Sequence, residues 1–322
     1  MMMNDYKKIE LLVQVAKLYY ENDYSQEMVA KKLSLSRPYI SKLLNEAKEV
    51  GIVRVQVVDP MSVESKLEQK FRNKFNLKKV IITPSNADEN PLSRIGMEMG
   101  RYLNSIIKNG DILGLSWGDT LFECSKSLIG REDLENVTAV LLCGGISDLK
   151  KNIYSTEIAN NFANKLRASS YVLPLPAVVD NKKMKDIIQR DHNMGKVLQY
   201  GYDANIAVFT MGAFGLKSAI VRAGYLSDRT MEELSQKGAV GDICSHIIDI
   251  NGNICDMELD ERTIAVPLDV IRQKEYRIGV AQGTSKIDSI CGALNGGLIN
   301  VLITNEETAE LVWNKIEKME RD

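Results

Sequence analysis

Strand-like apolar runs alternate with helix-like stretches through most of this chain of 322 residues. The strand-like runs are 80–83, 111–116, 137–142, 171–175, 205–211, 277–281 and 299–304. The helical patterns between them are 92–107, 119–129, 155–168, 285–295 and 306–318. Parallel strands need long crossover connections, usually helices, so this order predicts an α/β domain with a mainly parallel sheet covered by helices. The Asn251-Gly252 pair between two apolar runs predicts one hairpin within that domain.

Residues 1–58 follow a helical period instead and end in a short alternating run, 52–58. The predicted helices are 6–21, 26–33 and a third from the cap residue Ser36 to the stop at Gly51. The third helix carries apolar residues at helical spacing on one face, at Ile40, Leu43, Leu44 and Ala47. Two helices joined by a short turn behind a support helix are typical of a helix-turn-helix.

The polar face of the third predicted helix carries side chains of the types that position and read DNA. Arginine can bond guanine and asparagine can bond adenine through paired hydrogen bonds, while serine, tyrosine and lysine reach phosphates. Gln26, near the start of the second helix, is placed to touch the DNA backbone. The candidate DNA-binding residues are Gln26, Ser36, Arg37, Tyr39, Ser41, Lys42, Asn45 and Lys48. The alternative is a small three-helix bundle with a solvated polar face.

The charge of the chain is unevenly placed. The formal net charge of -2, taken alone, argues against a nucleic-acid partner. Residues 1–58 nevertheless carry a net charge of +2, and the remaining residues carry -4. Within 31–54 there are six basic residues and two acidic ones. This local excess is small, so one copy of the helix-turn-helix is expected to bind DNA weakly, and affinity should depend on several copies acting together.

Several classes of protein are excluded by composition. The five cysteines form no C-x-x-C pair, and the two histidines, His192 and His246, do not suffice for a His-rich metal site. No run of about 18 uncharged apolar residues is present, and acidic residues near the N-terminus break any secretory signal. We therefore expect a cytoplasmic protein that binds no metal and no cofactor.

The predicted domains are 1–58, a linker helix in 59–76, and 77–322. Asp59-Pro60 is the expected joint, because proline ends regular structure. Residues 62–75 have the pattern of an amphipathic helix, whose apolar residues are candidates for an oligomer surface.

Residues 114–118, GLSWG, match the G-x-S-x-G elbow of serine hydrolases at a strand-to-helix junction. A hydrolase would need a histidine base for Ser116, and the sequence offers His192, in a charged stretch, or His246, in an apolar run. A second interpretation is tight packing of strand against helix. A third is an anion cradle, formed by N–H groups of residues 116–120 with the Ser116 and Thr120 hydroxyls at a helix N-terminus.

Two further loops, CGGIS at 143–147 and AQGTSK at 281–286, have the same form after predicted strands. Lys286 adds a positive charge to the second loop. Ligands of open α/β sheets bind in the crevice at the carboxyl ends of strands, so three such loops together favour a ligand site.

The segment SQEMVAKKLSLSRPYISKLLNEAKEVGIV closely resembles the helix-turn-helix of the SorC family of sugar-responsive bacterial transcriptional regulators, and this part of the resemblance covers residues 15–58. Later segments resemble the effector-binding domain of that family, in family order, with the closest matches in its deoxyribonucleoside-regulator branch. These segments are GLSWGDTL, LPLPAVVD, ANIAVFTMG, KGAVGDICSHIIDINGNI, RTIAVPLDVIR and AQGTSKIDSICGALNGGLINVLITNE. The resemblance implies a Rossmann-like α/β effector domain similar in fold to sugar-phosphate isomerases, which binds a phosphorylated sugar.

The resemblance also implies roles for single residues. Asp242 matches an acidic position that accepts sugar hydroxyls, and Lys286 matches a lysine that binds phosphate. The alternatives are a helix cap or surface charge for Asp242 and a solvated residue for Lys286. The candidate effector-binding residues are Ser116, Trp117, Gly118, Thr120, Cys143, Gly144, Gly145, Ile146, Asp242, Gly283 and Lys286. The resemblance further implies that some relatives that sense aldehyde sugars have a lysine just before the Gly-Gly pair, where a Schiff base could form. This chain has Cys143 there, so we expect non-covalent binding.

These observations together predict a non-enzymatic transcriptional regulator, most simply a repressor, of a sugar or nucleoside operon. Its expected partners are double-stranded operator DNA and a small phosphorylated sugar. Paired half-sites require a symmetric oligomer, and the resemblance implies dimers that pair into tetramers.

Overall fold

The computed structural model describes residues 2–22, 24–53, 64–84, 90–146, 154–216 and 218–321. The chain divides into two units, Met1–Val63 and Glu64–Asp322. The predicted joint at Asp59-Pro60 and most of the predicted strand 52–58 lie outside the described residues, so these two predictions stay untested.

The first unit contains the three predicted helices, α1 (Met2–Ala16), α2 (Gln26–Leu33) and α3 (Arg37–Glu49), with a π-turn (Lys17–Glu21) after α1. Serine side chains begin α2 and α3, because Ser25 Oγ accepts the Met28 N–H at 3.2 Å and Ser36 Oγ accepts the Tyr39 N–H at 3.4 Å. The predicted apolar face of α3 is buried with residues of the other two helices. This core consists of Leu12, Val15, Val29, Ala30, Ile40, Leu43, Leu44 and Ala47.

The second unit is a sheet with helices packed on it. Its strands are β1 (Lys79–Thr83), β2 (Ile112–Leu115), β3 (Thr138–Leu141), β4 (Ser169–Tyr171), β5 (Ile206–Ala213), β6 (Ala239–Ile243), β7 (His246–Asp249), β8 (Tyr276–Val280) and β9 (Val301–Asn305). Its helices are α4 (Lys66–Phe75), α5 (Pro91–Ile106), α6 (Asp119–Lys126), α7 (Ser155–Leu166), α8 (Lys182–Arg190), α9 (His192–Asp203), α10 (Ala219–Arg222), α11 (Asp228–Gln236), α12 (Met257–Asp260), α13 (Leu268–Gln273), α14 (Ile287–Asn295) and α15 (Glu306–Met319). A 3₁₀ turn (Thr284–Lys286) leads into α14.

Seven strands of the described residues are parallel, in the order β1-β9-β8-β5-β2-β3-β4. The strands that follow β2 along the chain, β3 and β4, lie on one side of it in the sheet. The strands that follow β5, β8 and β9, lie on the other side, so the strand order reverses between β2 and β5. Ligands bind at such a reversal in open α/β sheets. The predicted mixed α/β architecture with a parallel sheet is confirmed.

Strand β5 extends beyond the ends of its parallel neighbours. Its last residues pair with an antiparallel hairpin. Residues 206–210 align with β8, whereas Met211, Gly212 and Ala213 align with β6. The turn between β6 and β7 is Cys244-Ser245, with φ of 49° and 72°. Positive φ at both positions is the pattern of a type I′ turn.

The predicted chain reversal at Asn251-Gly252 is also present, with Gly252 at φ +75°. The Asp249 N–H donates to the Asn253 carbonyl at 2.9 Å and the Cys255 N–H to the Ile247 carbonyl at 3.0 Å. The returning arm forms only an isolated bridge, Ile248 with Ile254, so the regular hairpin of this region is the one at Cys244-Ser245.

Helix α4 belongs to the second unit and is not an isolated linker. Phe71 is fully buried against Trp313 of α15, and Leu67 and Phe75 pack on the same core. The Ile82 N–H of β1 also donates to Glu68 Oε1 at 2.8 Å. The described apolar residues of this helix therefore pack within the unit, and its expected contribution to an oligomer surface stays a prediction.

Candidate functional site

A cavity of about 180 Å³ lies at the carboxyl ends of β2, β5 and β8, where the strand order reverses. Seven of the sequence-predicted effector residues line it: Ser116, Trp117, Gly118, Thr120, Cys143, Asp242 and Lys286. Residues from β5, from α10 and from the β6–β7 turn complete the wall. The sheet topology thus brings together side chains from distant parts of the chain.

One end of the cavity is cationic. Lys286 Nζ donates to Thr120 Oγ1 at 2.9 Å and to Thr210 Oγ1 at 2.8 Å. Burial lowers the pKa of Lys286 to about 8, although the carboxylate of Asp242 opposes this shift. Two hydroxyls therefore hold the ammonium group in place without neutralising its charge.

The N-terminus of helix α6 lies at the same end. Gly118 precedes the helix with φ +119°, and no side chain caps it. The first N–H groups of a helix have no partner within the helix and carry a partial positive charge. Helix α6 and Lys286 together can bind an anion.

The cavity wall also carries an acidic side chain, Asp242. Asp242 of β6 accepts the Ser245 N–H through Oδ2 at 3.3 Å. Burial raises the pKa of the Asp242 carboxyl to about 6, although the Ser245 N–H and Lys286 lower it. A Cβ added at Gly212 would lie 1.8 Å from Asp242 Oδ1, so the glycine makes room for this carboxylate.

Ser116 and Trp117 also line the cavity. The Ser116 N–H donates to the Val208 carbonyl at 3.1 Å, and its Oγ accepts the Thr210 N–H at 3.3 Å. The Ser116 N–H therefore extends the sheet and does not contribute to the expected anion cradle. Trp117 Nε1 donates to the Gly144 carbonyl at 2.8 Å, so the indole ties two loops together.

The loop 143–146 differs from the expected anion cradle. The Gly144 N–H donates to Ile264 O at 2.8 Å and the Ile146 N–H to Leu175 O at 3.1 Å. The described residues that line the cavity do not include Gly144, Gly145 or Ile146. Ser147 lies outside the described residues. A Cβ at Gly144 would lie 2.3 Å from the Pro176 carbonyl oxygen, so the glycine serves close packing there.

The loop before α14 contributes Lys286 and Ser285 to the cavity. Gly283, with φ +104°, is not among the described residues that line the cavity. Its N–H donates to Thr308 Oγ1 at 2.9 Å. This glycine shapes the turn that delivers Lys286, and its own N–H is not directed to the cavity.

Cys143 and Cys244 meet at the cavity. The hydrogen bond with Cys143, together with burial, raises the pKa of the Cys244 thiol well above its ordinary value. Since the thiolate is the reactive form, Cys244 is a poor nucleophile.

Ten described residues of the cavity wall were not among the predicted effector residues: Asp119, Thr210, Gly212, Ala213, Ser218, Ala219, Arg222, Cys244, Ser245 and Ser285. Arg222 of α10 forms an ion pair with Asp119 of α6 at the cavity. Thr210 and Gly212 lie inside a strand, where they carry no loop signal. Ser245 lies in a turn that lacks the Asn-Gly or Asp-Gly signature.

The geometry does not favour a hydrolase. Among the described residues, the partners of the His246 ring are the Asp260 carboxylate and, at 3.1 Å, the Val266 carbonyl. His192 is exposed at the start of α9. Neither arrangement supplies a base to Ser116. Within the described residues, no group of three or more His, Cys, Asp or Glu side chains is placed to hold a metal ion.

The candidate DNA-binding residues lie on α3 and at the start of α2. Arg37, Tyr39, Lys42, Asn45 and Lys48 are exposed, whereas Gln26 and Ser41 are half-buried. Ser36 is exposed and caps α3. A shallow groove of this unit is lined by Ser41, Lys42 and Asn45, together with Glu46 and Glu49. The basic face is therefore interrupted by two acidic side chains.

Comparison with known proteins agrees with this arrangement. Residues 59–314 match the family model of a sugar-binding domain. The deoxyribonucleoside regulator of Bacillus subtilis (strain 168) is 38% identical over 317 residues, which cover 97% of this chain and 100% of that protein. The sorbitol operon regulator of Klebsiella pneumoniae is 31% identical, with 94% of this chain and 98% of the relative covered.

Solved structures give the same result. The crystal structure of the full-length sorbitol operon regulator SorC from Klebsiella pneumoniae has a TM-score of 0.78 at 30% identity and covers 94% of this chain and 98% of its own. A transcriptional regulator from Streptococcus pneumoniae TIGR4 has a TM-score of 0.72 at 26% identity, over 78% of this chain and 97% of its own.

The fold, the cavity and these matches define a DNA-binding transcriptional regulator that responds to a sugar. The chain belongs to the SorC family of sugar-binding transcriptional regulators. Its relatives are named regulators, which favours a non-enzymatic function. No helix within the described ranges has the length and apolar character needed to cross a membrane.

Proposed function

We propose that the protein represses a sugar or nucleoside catabolic operon and that non-covalent binding of a phosphorylated sugar in the cavity controls its DNA binding. The observation that carries this proposal is the Lys286 ammonium group, held by Thr120 and Thr210 beside the uncapped N-terminus of α6. A buried cation beside unpartnered helix N–H groups is suited to a phosphate dianion.

Lys286 and Asp242 give the ligand a direction in the cavity. Its phosphate lies at Lys286 and α6, and its hydroxyls lie at Asp242, since a carboxylate accepts hydrogen bonds from O–H groups. The cavity has a volume of about 180 Å³. This volume suits one small sugar phosphate. The deoxyribonucleoside and sorbitol operon regulators make pentose and hexitol phosphates the first candidates.

Binding requires no chemical conversion and no cofactor in this proposal. The Cys143 position holds a thiol, and a thiol cannot form a Schiff base with an aldehyde sugar. The ligand acts by stabilising one arrangement of the protein over another, so it must bind the two with different affinities.

DNA binding is assigned to Arg37, Lys42 and Asn45 of α3, with Gln26, Ser36, Tyr39, Ser41 and Lys48 as neighbours that position the helix. A regulator that reads paired half-sites needs a symmetric homo-oligomer, a dimer or a tetramer. Because the proposed operator DNA lies in the cytoplasm, we expect the protein to act there.

A ligand screen tests the proposal. Calorimetric titrations of the full chain with ribose 5-phosphate, 2-deoxyribose 5-phosphate, sorbitol 6-phosphate and the corresponding free sugars should show binding by at least one phosphate and much weaker binding by its free sugar. Lys286→Met should weaken the binding at least about tenfold, because a hydrogen bond to a charged group is lost.

Lys126→Met is the matched control, because it removes the same charge from the exposed far end of α6. It should leave the affinity unchanged. Equal affinity for phosphate and free sugar, or wild-type affinity in Lys286→Met, would contradict the proposed phosphate site.

A further inference from the structure

Two serines that line the cavity have buried hydroxyls without a protein partner among the described residues. Ser218 is 6% exposed and Ser245 is 2% exposed. Both line the cavity, and the Oγ atom of each makes no hydrogen bond to any residue that the structure describes. Buried hydroxyls are hydrogen-bonded in most proteins, because leaving one unpaired is unfavourable. Two such hydroxyls in one cavity point to a ligand that supplies the missing partners.

The backbone at Ser245 supports the same conclusion independently. Ser245 has φ +72° and follows Cys244 at φ +49° in the β6–β7 turn. Glycine, asparagine and aspartate are the usual residues in such a turn, since other side chains are strained at positive φ. A serine held at this position in a binding cavity indicates that its side chain is used.

The turn also connects Ser245 with Asp242. The Ser245 N–H donates to Asp242 Oδ2 at 3.3 Å, so the backbone of the serine and the carboxylate are held together. An ionised carboxylate only accepts hydrogen bonds, whereas a serine hydroxyl both donates and accepts. A sugar hydroxyl that donates to Asp242 can therefore accept from a neighbouring serine, and every polar group is then paired.

We infer, on the basis of the sugar-phosphate ligand proposed above, that Ser218 and Ser245 are specificity-determining residues whose hydroxyls bind hydroxyl groups of the sugar. On this inference Asp242 and the two serines recognise the sugar and Lys286 binds the phosphate, and all four residues line the same cavity. A site built to pair a ligand hydroxyl discriminates strongly against an analogue that lacks it. The two serines thus select among sugar phosphates of similar size.

The test compares Ser218→Ala, Ser245→Ala and Ser245→Gly with the wild type. Each variant should bind the preferred phosphate of the panel, ribose 5-phosphate, 2-deoxyribose 5-phosphate or sorbitol 6-phosphate, about tenfold more weakly in calorimetry. Discrimination between ribose 5-phosphate and 2-deoxyribose 5-phosphate should shrink in at least one of the serine variants.

Thermal unfolding of the ligand-free variants separates recognition from structure. Ser245→Gly relieves the strained turn, so its Tm should rise by about 2 °C or more while its affinity falls. Ser218→Ala should keep the Tm, because no protein hydrogen bond is lost. Ser125→Ala is the matched control: its buried hydroxyl donates to the Phe122 carbonyl at 2.7 Å, so its Tm should fall and its affinity should stay.

The outcomes distinguish the two proposals. If the wild type binds a sugar phosphate and the serine variants bind it equally well, the inference is wrong and the proposed function stands. A lower Tm with unchanged affinity in Ser245→Gly would likewise overturn the inference by showing a structural role. If the wild type binds no phosphate of the panel, the proposed phosphate site and the serine roles are both contradicted.

Discussion

Lys286 and Asp242 share one cavity although one begins a helix and the other lies within a strand. Burial shifts their pKa values toward each other, to about 8 for the lysine and about 6 for the aspartate. Between these values both groups are charged, at a cost in free energy that a ligand can offset. A phosphate at Lys286 stabilises the ammonium form, and sugar hydroxyls at Asp242 stabilise the carboxylate.

Ligand affinity should therefore depend on pH. Lys286 loses its proton as the pH rises above about 8, so the affinity for a sugar phosphate should fall there. It should also fall below pH ~6, where a phosphate monoester takes up its second proton and Asp242 becomes neutral. Calorimetric titrations from pH 5 to pH 10 measure the profile.

Proton uptake provides the control for this prediction. Since bound phosphate raises the pKa of Lys286, binding at pH 8.5 should take up protons in the wild type and not in Lys286→Met. The observed binding enthalpy in buffers of different ionisation enthalpy measures this uptake. An affinity that stays constant from pH 7 to pH 10 would contradict the role of Lys286.

Local sequence patterns were informative for residues near the ends of strands, whereas Asp242, inside β6, was predicted only through the family resemblance. Ser116 ends a strand-like run, Thr120 and Lys286 lie a few residues after such runs, and all three were predicted at the cavity. Thr210 and Gly212 are part of β5, which continues past its parallel neighbours. The length of that extension depends on pairing with β6. The sequence pattern around residues 210–213 does not show this long-range pairing.

At the level of elements, the turn between β6 and β7 shows where local signals mislead. Asn251-Gly252 is a strong hairpin signature, and the chain does reverse there. The regular hairpin nevertheless uses Cys244-Ser245, where β6 pairs with β7 and Ile243, His246, Ile247 and Ile248 are buried. Tertiary packing decides the turn at this point, and the residues of that turn line the cavity.

Helix α3 allows a prediction about Ser36, which is both a candidate DNA contact and the observed N-cap. Ser36→Ala should lower the free energy of unfolding of the first unit by about 1 kcal/mol, since the cap is lost. Ser36→Asn keeps the cap and should restore the stability. Denaturant unfolding of the full chain, followed by helical signal, measures both.

DNA affinity separates the two roles of Ser36. If the serine acts only as a cap, Ser36→Asn binds DNA as the wild type does; if it also contacts phosphate, the affinity of Ser36→Asn falls although its stability is restored. Unchanged stability in Ser36→Ala would show that the cap observed at 3.4 Å contributes little.

For the whole molecule, the net charge of -2 combines a basic N-terminal part with an acidic remainder. The total alone argues against DNA, and the distribution along the chain removes that objection. The same distribution predicts weak binding by one copy, because residues 1–58 carry a net charge of only +2.

Removing two charges from α3 should therefore reduce DNA binding strongly. Arg37→Ala with Lys42→Ala should lower the affinity for a duplex selected by the wild type from a random pool by at least about a hundredfold, since a base contact and a phosphate contact are lost. Lys126→Ala with Arg229→Ala makes the same change in net charge on the second unit and is the matched control. Fluorescence anisotropy at several salt concentrations measures both, and equal losses in the two double variants would contradict the assignment to α3.

The most direct test of the account measures DNA binding and ligand binding together. The selected duplex is titrated with the wild type and with Lys286→Met, with and without the sugar phosphate that binds most tightly in the calorimetric screen. We expect the phosphate, and not its free sugar, to release the wild type from DNA, whereas Lys286→Met binds the same DNA and does not respond. Equal release of both proteins, or release of the wild type by the free sugar at the same concentration, would contradict control by a phosphorylated sugar at Lys286.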